Sequence, residues 1–312
     1  MIGYVARRLL LGVLQVLLVA VGVFALTEAL PGDAAVTIAG DYPDPAVIAG
    51  LREQLGLDRP VWERFADWLV AASQGDLGTS LVGPRSVVEV IGAAIGPSSL
   101  LAGLALALLV PLSTGLGMLA AHREGGRVDR AITSTTLGLY AAPEFAMAIL
   151  LVTVFAVQLG WFPPTAIGGS LIADPALLVL PVLVLLLRPI CSLSRLVRAG
   201  VIDAQRSPHV QHVRRLGLSP ARIRFCHVLP NAAVPAVQQL ARTADWLLGG
   251  VIVVEAIFVV PGLGTALLDA VSARDLPVVQ GLALVFACTT VLVNLGADIA
   301  ARVLSPASEV GR

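Results

Sequence analysis

Apolar residues gather into six long runs, approximately Leu9–Leu26, Ser99–Ala121, Ala131–Leu159, Pro175–Ser194, Ala236–Val259 and Val279–Ala300. A helix needs about 20 apolar residues to cross the hydrocarbon of a bilayer, so each run predicts a transmembrane helix. The fourth and fifth are the least clean, because Arg188, Arg242 and Asp245 interrupt them. The first follows Arg7 and Arg8, as a secretory leader would. Its apolar stretch is longer than the ~7–15 residues of a leader core and lacks a clear small-residue cleavage site, so it is expected to stay as the first helix. Between the first two runs, from Leu30 to about Pro97, the pattern changes. Over Val61–Ala72 it places Trp62, Phe65, Trp68 and Leu69 on one helical face. This predicts a small cap on the membrane surface, which can also offer a docking surface to an external partner.

Composition agrees with a chain that crosses a membrane several times. Of 312 residues 57% are hydrophobic and 13% charged, and the mean hydropathy is +0.87. Soluble domains carry about 25% charge. There is no lysine, so all 21 basic residues are arginine. A phosphate-binding P-loop needs a lysine to reach the β- and γ-phosphates, so this chain holds no standard nucleotide site. Any nucleotide that drives it must sit on another subunit. Cys191, Cys226 and Cys288 are too scattered for a metal set or a redox pair and are expected to be free thiols. His122, His209, His212 and His227 are not spaced as metal ligands either, and no metal site is expected.

The arginines set the orientation. Six spans put both termini on one side. If that side is the cytoplasm, its segments carry fourteen arginines, against five at Arg52, Arg59, Arg64, Arg85 and Arg274 outside. The excess of positive charge on cytoplasmic loops then places both termini inside.

One cytoplasmic segment stands apart. Gln211 to Pro230 reads QHVRRLGLSPARIRFCHVLP, polar and basic between apolar runs. Two short helices are predicted, about His209–Leu216 and Pro220–His227, with Gly217 between them free to take a conformation that side chains disfavour. Ser219 and Pro220 suit the N-cap and first position of the second helix. Arg214, Arg215, Arg222 and Arg224 form a polar rim that can also meet anionic lipid. Pro230 is expected to end the element and set the angle into the fifth span.

Charges inside spans are expensive, ~2.5–3.5 kcal/mol for a central arginine on insertion scales. Arg242 and Asp245 are three residues apart and share a helical face. Two readings stand. Arg188 pairs with Asp245 between the fourth and fifth spans, with Arg242 joining or snorkelling, or the three line a pore and touch substrate termini. Glu144 follows Pro143 and is expected to brace a proline kink in the third span.

Several stretches resemble the inner-membrane permease subunits of ABC importers, in the dipeptide, oligopeptide and nickel class, and the likeness covers nearly the whole chain. They are YVARRLLLGVLQVLLVAVGVFALTEALPGD with its Leu30–Asp33 turn, LGLDRPVWERFADWL, GDLGTSL, LGWFPPT, GGVIVVEAIFVVPGLG and RDLPVVQG. The family's cytoplasmic signature is EAA, three residues, Gly, nine residues, then I-x-LP. Here nine residues separate Gly217 from His227-Val228-Leu229-Pro230, while Gln211, His212 and Val213 replace the EAA triplet.

The resemblance implies an all-α integral membrane protein of the cytoplasmic membrane. Residues 1–97 would form an N-terminal helix and extracytoplasmic cap, and 98–305 a five-helix permease core with a coupling segment at 205–230. It implies a non-catalytic transport subunit that binds no cofactor itself. Its partners would be a homologous second permease, two ATPase subunits holding ATP and Mg, and an extracytoplasmic substrate-binding protein, with no nucleic acid. Gln211 to Ser219 and Pro230 would couple to an ATPase, with Leu216 and Leu218 in its apolar groove. Glu255, Pro261, Gly262 and Gly264 would form a turn or gate after the fifth span, with Glu255 a hydrogen-bond acceptor for it. The implied cargo is a di- or oligopeptide. A nickel importer of the same family would look alike. An ion-coupled secondary transporter should show an inverted repeat with broken helices, and none is visible.

Overall fold

The computed structural model describes residues 2–29, 34–39, 44–54 and 56–304. The described chain is helical, with one isolated bridge between Thr79 and Ser86. We number the helices α1 (Ile2–Ala29), α2 (Ala34–Ala39), α3 (Pro45–Gln54), α4 (Val61–Ser73), α5 (Val87–His122), α6 (Arg127–Ala141) and α7 (Glu144–Leu151, continued by a π-helical stretch Val152–Gln158). After these come α8 (Ala176–Arg206), α9 (Pro208–Arg215), α10 (Pro220–Arg222, continued by a π-helical stretch Ile223–Val228), α11 (Leu229–Phe258), α12 (Leu263–Ser272) and α13 (Leu276–Leu304). The Leu30–Asp33 turn lies outside the described residues. Among the described residues, four helices are long and apolar enough to cross a membrane, or up to six if each bent pair counts as one span.

Two compact units emerge. The first joins the chain up to Ser98 with Pro261–Leu292. Val87, Ile91 and Ala94 of α5 are buried against Leu263 and Ala270 of α12 and Val278 and Leu282 of α13. That packing extends α5 well before the predicted start at Ser99. Phe24 of α1 meets Phe65 and Trp68 of α4, with ring centroids 5.2 and 5.9 Å away. Trp62, expected on the same face, is 73% exposed, so the cap's apolar contact is narrower than the pattern suggests. Arg64 pairs with Glu28, and Gln280 donates to the Thr27 hydroxyl at 2.8 Å. Asp275, almost fully buried, accepts from Ser80 and from the Leu81 N–H.

The second unit holds Ser99–Val260 and the chain from Val293. Its core is α8, whose buried face runs from Leu177 to Ala204 and packs on α11, α6 and α7. The expected third span is not one helix. α6 and α7 meet at 107°. Pro143 causes the break, since it lacks an N–H and holds the preceding residue extended, as seen at Ala142 with φ −75° and ψ 136°.

Candidate functional site

The polar segment after α8 folds as two short helices around a turn. Ser207 is extended at the N-cap position of α9, its hydroxyl donating back to the Ala204 carbonyl, and Pro208 occupies the first turn, where a missing N–H costs nothing. Gly217 has φ +76°, the left-handed conformation that glycine takes without penalty. Ser219 caps the second helix, its side chain accepting from the Arg222 N–H at 3.4 Å. Val210, Ile223 and Val228 are buried in the core of the second unit, and Val213 and Leu218 pack on its edge. The element is thus anchored from one side. Its other side carries Gln211, His212, Arg214, Arg215, Arg222 and Arg224, all exposed.

Two expectations change here. Leu218 is half-buried against this chain's own core, so Leu216, 63% exposed, is the freer of the two leucines. Phe225, not singled out from the sequence, is 59% exposed on the same element. Pro230 does not end the element. It sits in the first turn of α11, and the helical path through Val228 and Leu229 is unbroken. The π-helical stretch just before it widens the hydrogen-bond spacing, with the Leu229 N–H reaching the Arg224 carbonyl, which makes room for the proline ring. Asn231 steadies this junction, its side-chain amide donating to the His227 carbonyl at 2.7 Å.

Arg188 and Arg242 come together in one pocket of about 160 Å³, shared with Tyr140, Ser192, Gln239 and Trp246. The Arg188 guanidinium lies over the rings of Tyr140 and Trp246, at 5.1 and 5.9 Å from their centroids. Arg195 covers Tyr140 at 5.0 Å. The side chain of Asp245 lies outside the described residues. Among the described residues, no carboxylate forms an ion pair with Arg188 or Arg242. Glu144 stands half-buried at the start of α7, within electrostatic reach of Arg188, and its Oε1 is buried with no hydrogen-bond partner among the described residues.

The turn after α11 is tightly held. Glu255 is fully buried, its backbone carbonyl accepting from the Val260 N–H at 3.0 Å across a left-handed Val259. Gly262 is extended, so its dihedrals do not demand glycine. The Leu263 N–H donates to Ser98 at 2.8 Å, and Gly264 is buried beside it in sequence.

One strong ion pair escaped the sequence reading. Arg198 of α8 grips Asp129 of α6 with two hydrogen bonds, Nε to Oδ1 at 2.6 Å and a terminal nitrogen to Oδ2 at 2.7 Å. Asp129 is 3% exposed and also accepts from the Gly125 N–H, which closes the loop ahead of α6. No sequence signal marks a pair 69 positions apart. Phe225 could have been found, as an aromatic residue among arginines in an otherwise polar segment.

Known proteins match this arrangement along the chain. Residues 1–82 match the N-terminal part of binding-protein-dependent transport system membrane components, and 113–310 match the inner membrane component itself. The glutathione transport system permease protein of Escherichia coli O6:H1 is 35% identical over 98% of this chain and 99% of its own. A probable peptide ABC transporter permease protein of Sinorhizobium fredii is 30% identical over 97% and 98%. A crystal structure of an amino acid ABC transporter with histidines shares the fold, with TM-score 0.52 and 16% identity over 69% of this chain and 94% of that one. The chain belongs to the binding-protein-dependent transport system inner membrane components, the non-catalytic permease subunits of ABC importers, a family in which separate ATPases hydrolyse ATP.

Proposed function

We propose that this chain, with a homologous permease, forms the path by which di- or oligopeptides enter across the cytoplasmic membrane. An extracytoplasmic binding protein delivers the peptide. Two ATPase subunits, holding ATP and Mg, drive the passage from the cytoplasmic side, where both termini also lie. The peptide cargo is supported by relatives named for peptide and glutathione transport.

The observation that carries the coupling role is the element from Pro208 to Val228. Val210, Ile223 and Val228 root it in the core, while Leu216 and Phe225 stand exposed among arginines. Apolar anchors within a polar rim are the usual anatomy of a protein contact. Rooting on one side lets a push on the other move α8 and α11 with it.

Reconstituting the importer with its ATPases and binding protein tests this. Phe225→Ala and Leu216→Asp should cut peptide uptake at least tenfold while ATP hydrolysis continues without stimulation by loaded binding protein. Normal stimulated hydrolysis and uptake in both variants would overturn the coupling role.

A further inference from the structure

Arg188 stands six residues before Ser194, the inner end of the fourth apolar run, and Arg242 six residues after Ala236, where the fifth begins. At ~1.5 Å per residue both are ~9 Å inside the apolar runs from their cytoplasmic ends. Both are exposed on the surface of the chain. Facing lipid there, each carries a cost that rises toward ~2.5–3.5 kcal/mol at the centre of a span, which argues that this surface meets water or another polar group instead.

The pocket around them is rich in donors. Ser192 and Thr243 already give their hydroxyl hydrogens to the backbone carbonyls of Pro189 and Gln239, at 3.0 and 2.9 Å. Open hydrogens remain on the two guanidinium groups, the Gln239 amide, the Tyr140 hydroxyl and the Trp246 indole. Arginine presents a flat fork that fits a carboxylate with two parallel bonds. Stacking on Tyr140 and Trp246 holds the Arg188 fork in one orientation before anything binds. At about 160 Å³ the cavity is smaller than the ~300 Å³ at which whole-ligand sites begin, so it fits an end group of a larger molecule.

We propose that this pocket is a carboxylate subsite on the translocation path, where Arg188 and Arg242 take the carboxylate of a peptide in transit. The proposal rests on the peptide-importer reading and deepens it. Glu144, across the bend at Pro143, keeps the local charge from being uniformly positive and so keeps the carboxylate from being held too tightly to leave.

The test uses the permease–ATPase complex, without binding protein, in phosphatidylcholine nanodiscs, so that no anionic headgroup competes. Trialanine and its C-terminal amide are titrated while tryptophan emission is followed. The part of the signal that Trp246→Phe removes reports the pocket. Trialanine should give a saturable change, and the amide should bind at least tenfold more weakly. Arg188→Gln should lose that preference, and Arg188→Lys should keep part of it. Equal responses to acid and amide, or none to either, would overturn the subsite. If Arg188→Gln fails to fold and Asp245→Asn restores it, the arginine serves structural pairing and the proposal also falls. Co-purification of ATPases with the wild-type chain would stand in all these cases, so loss of the subsite is distinguishable from loss of the importer reading.

Discussion

At Gly217 no atom lies within 4 Å of where a side chain would begin, yet φ is +76°. The demand on this position is therefore conformational and not steric. A β-branched residue pays ~1–2 kcal/mol in the left-handed region, while asparagine tolerates it. Gly217→Asn should keep most stimulated ATP hydrolysis, whereas Gly217→Val should lose most of it without loss of folded protein. Equal coupling in the two would show that the turn's geometry is unimportant. Asp129 poses the opposite case, with its cost in contacts. Removing the carboxylate leaves Arg198, 29% exposed, without its partner. Asp129→Ala should cost about 3 kcal/mol, the lower end for breaking a buried pair. Glu124→Ala should cost at most ~1 kcal/mol, because the Arg206–Glu124 pair is 68% and 45% exposed. Thermal unfolding in detergent compares the two. The Gly217 turn was legible because its constraint is local: a glycine, a cap and a proline in fixed order. Asp129 was not, because its partner is set by how α6 lies on α8.

Helices were legible where the bilayer dictates their length, and less so at their ends. α5, α8 and α11 all outrun their apolar runs, because packing within each unit sustains the helix beyond the hydrocarbon. The same packing decides which glycines matter. A Cβ on Gly117 would sit 2.6 Å from the Ser194 carbonyl oxygen, and one on Gly200 2.8 Å from that of Ala232. Both are backbone atoms that cannot turn aside, so α5 meets α8 and α8 meets α11 at glycine distance, as helices in membranes often do. Gly103 and Gly115 have nothing within 4 Å. Gly117→Ala and Gly200→Ala should each lower stability by about 1–3 kcal/mol. Gly103→Ala should leave it within ~0.5 kcal/mol. A Gly200→Ala variant as stable as the wild type would mean that the α8–α11 contact is looser than it looks. Pro143 shows the limit of reading elements from sequence. A proline marks a break, but the 107° between α6 and α7 depends on where their apolar faces find partners.

For the whole molecule the decisive question is which side faces the ATPases. The arginine count predicts one answer by charge alone, and the cysteines supply an independent test of it. Cys191 is buried, whereas Cys226 and Cys288 are exposed on the isolated chain. Cys288 lies in the middle of the apolar helix α13, so in a bilayer its exposure is to hydrocarbon, where a charged reagent does not reach. Cys226 lies on the basic element beside Phe225. The natural chain is therefore a single-site reporter for a membrane-impermeant maleimide. Intact cells should show no labelling of this chain, and inside-out vesicles should show labelling that Cys226→Ser abolishes. Because the same element is proposed to seat an ATPase, added ATPase subunits should slow that labelling several-fold, and Phe225→Ala should restore the rate. Labelling in intact cells would reverse the topology and remove the element from the ATPase side altogether. Cytoplasmic labelling that the ATPases do not slow would keep the topology and move the contact elsewhere. Charge bias and contact surface are thus separable by one thiol, since the first fixes the face on which Cys226 reacts and the second fixes what shields it there.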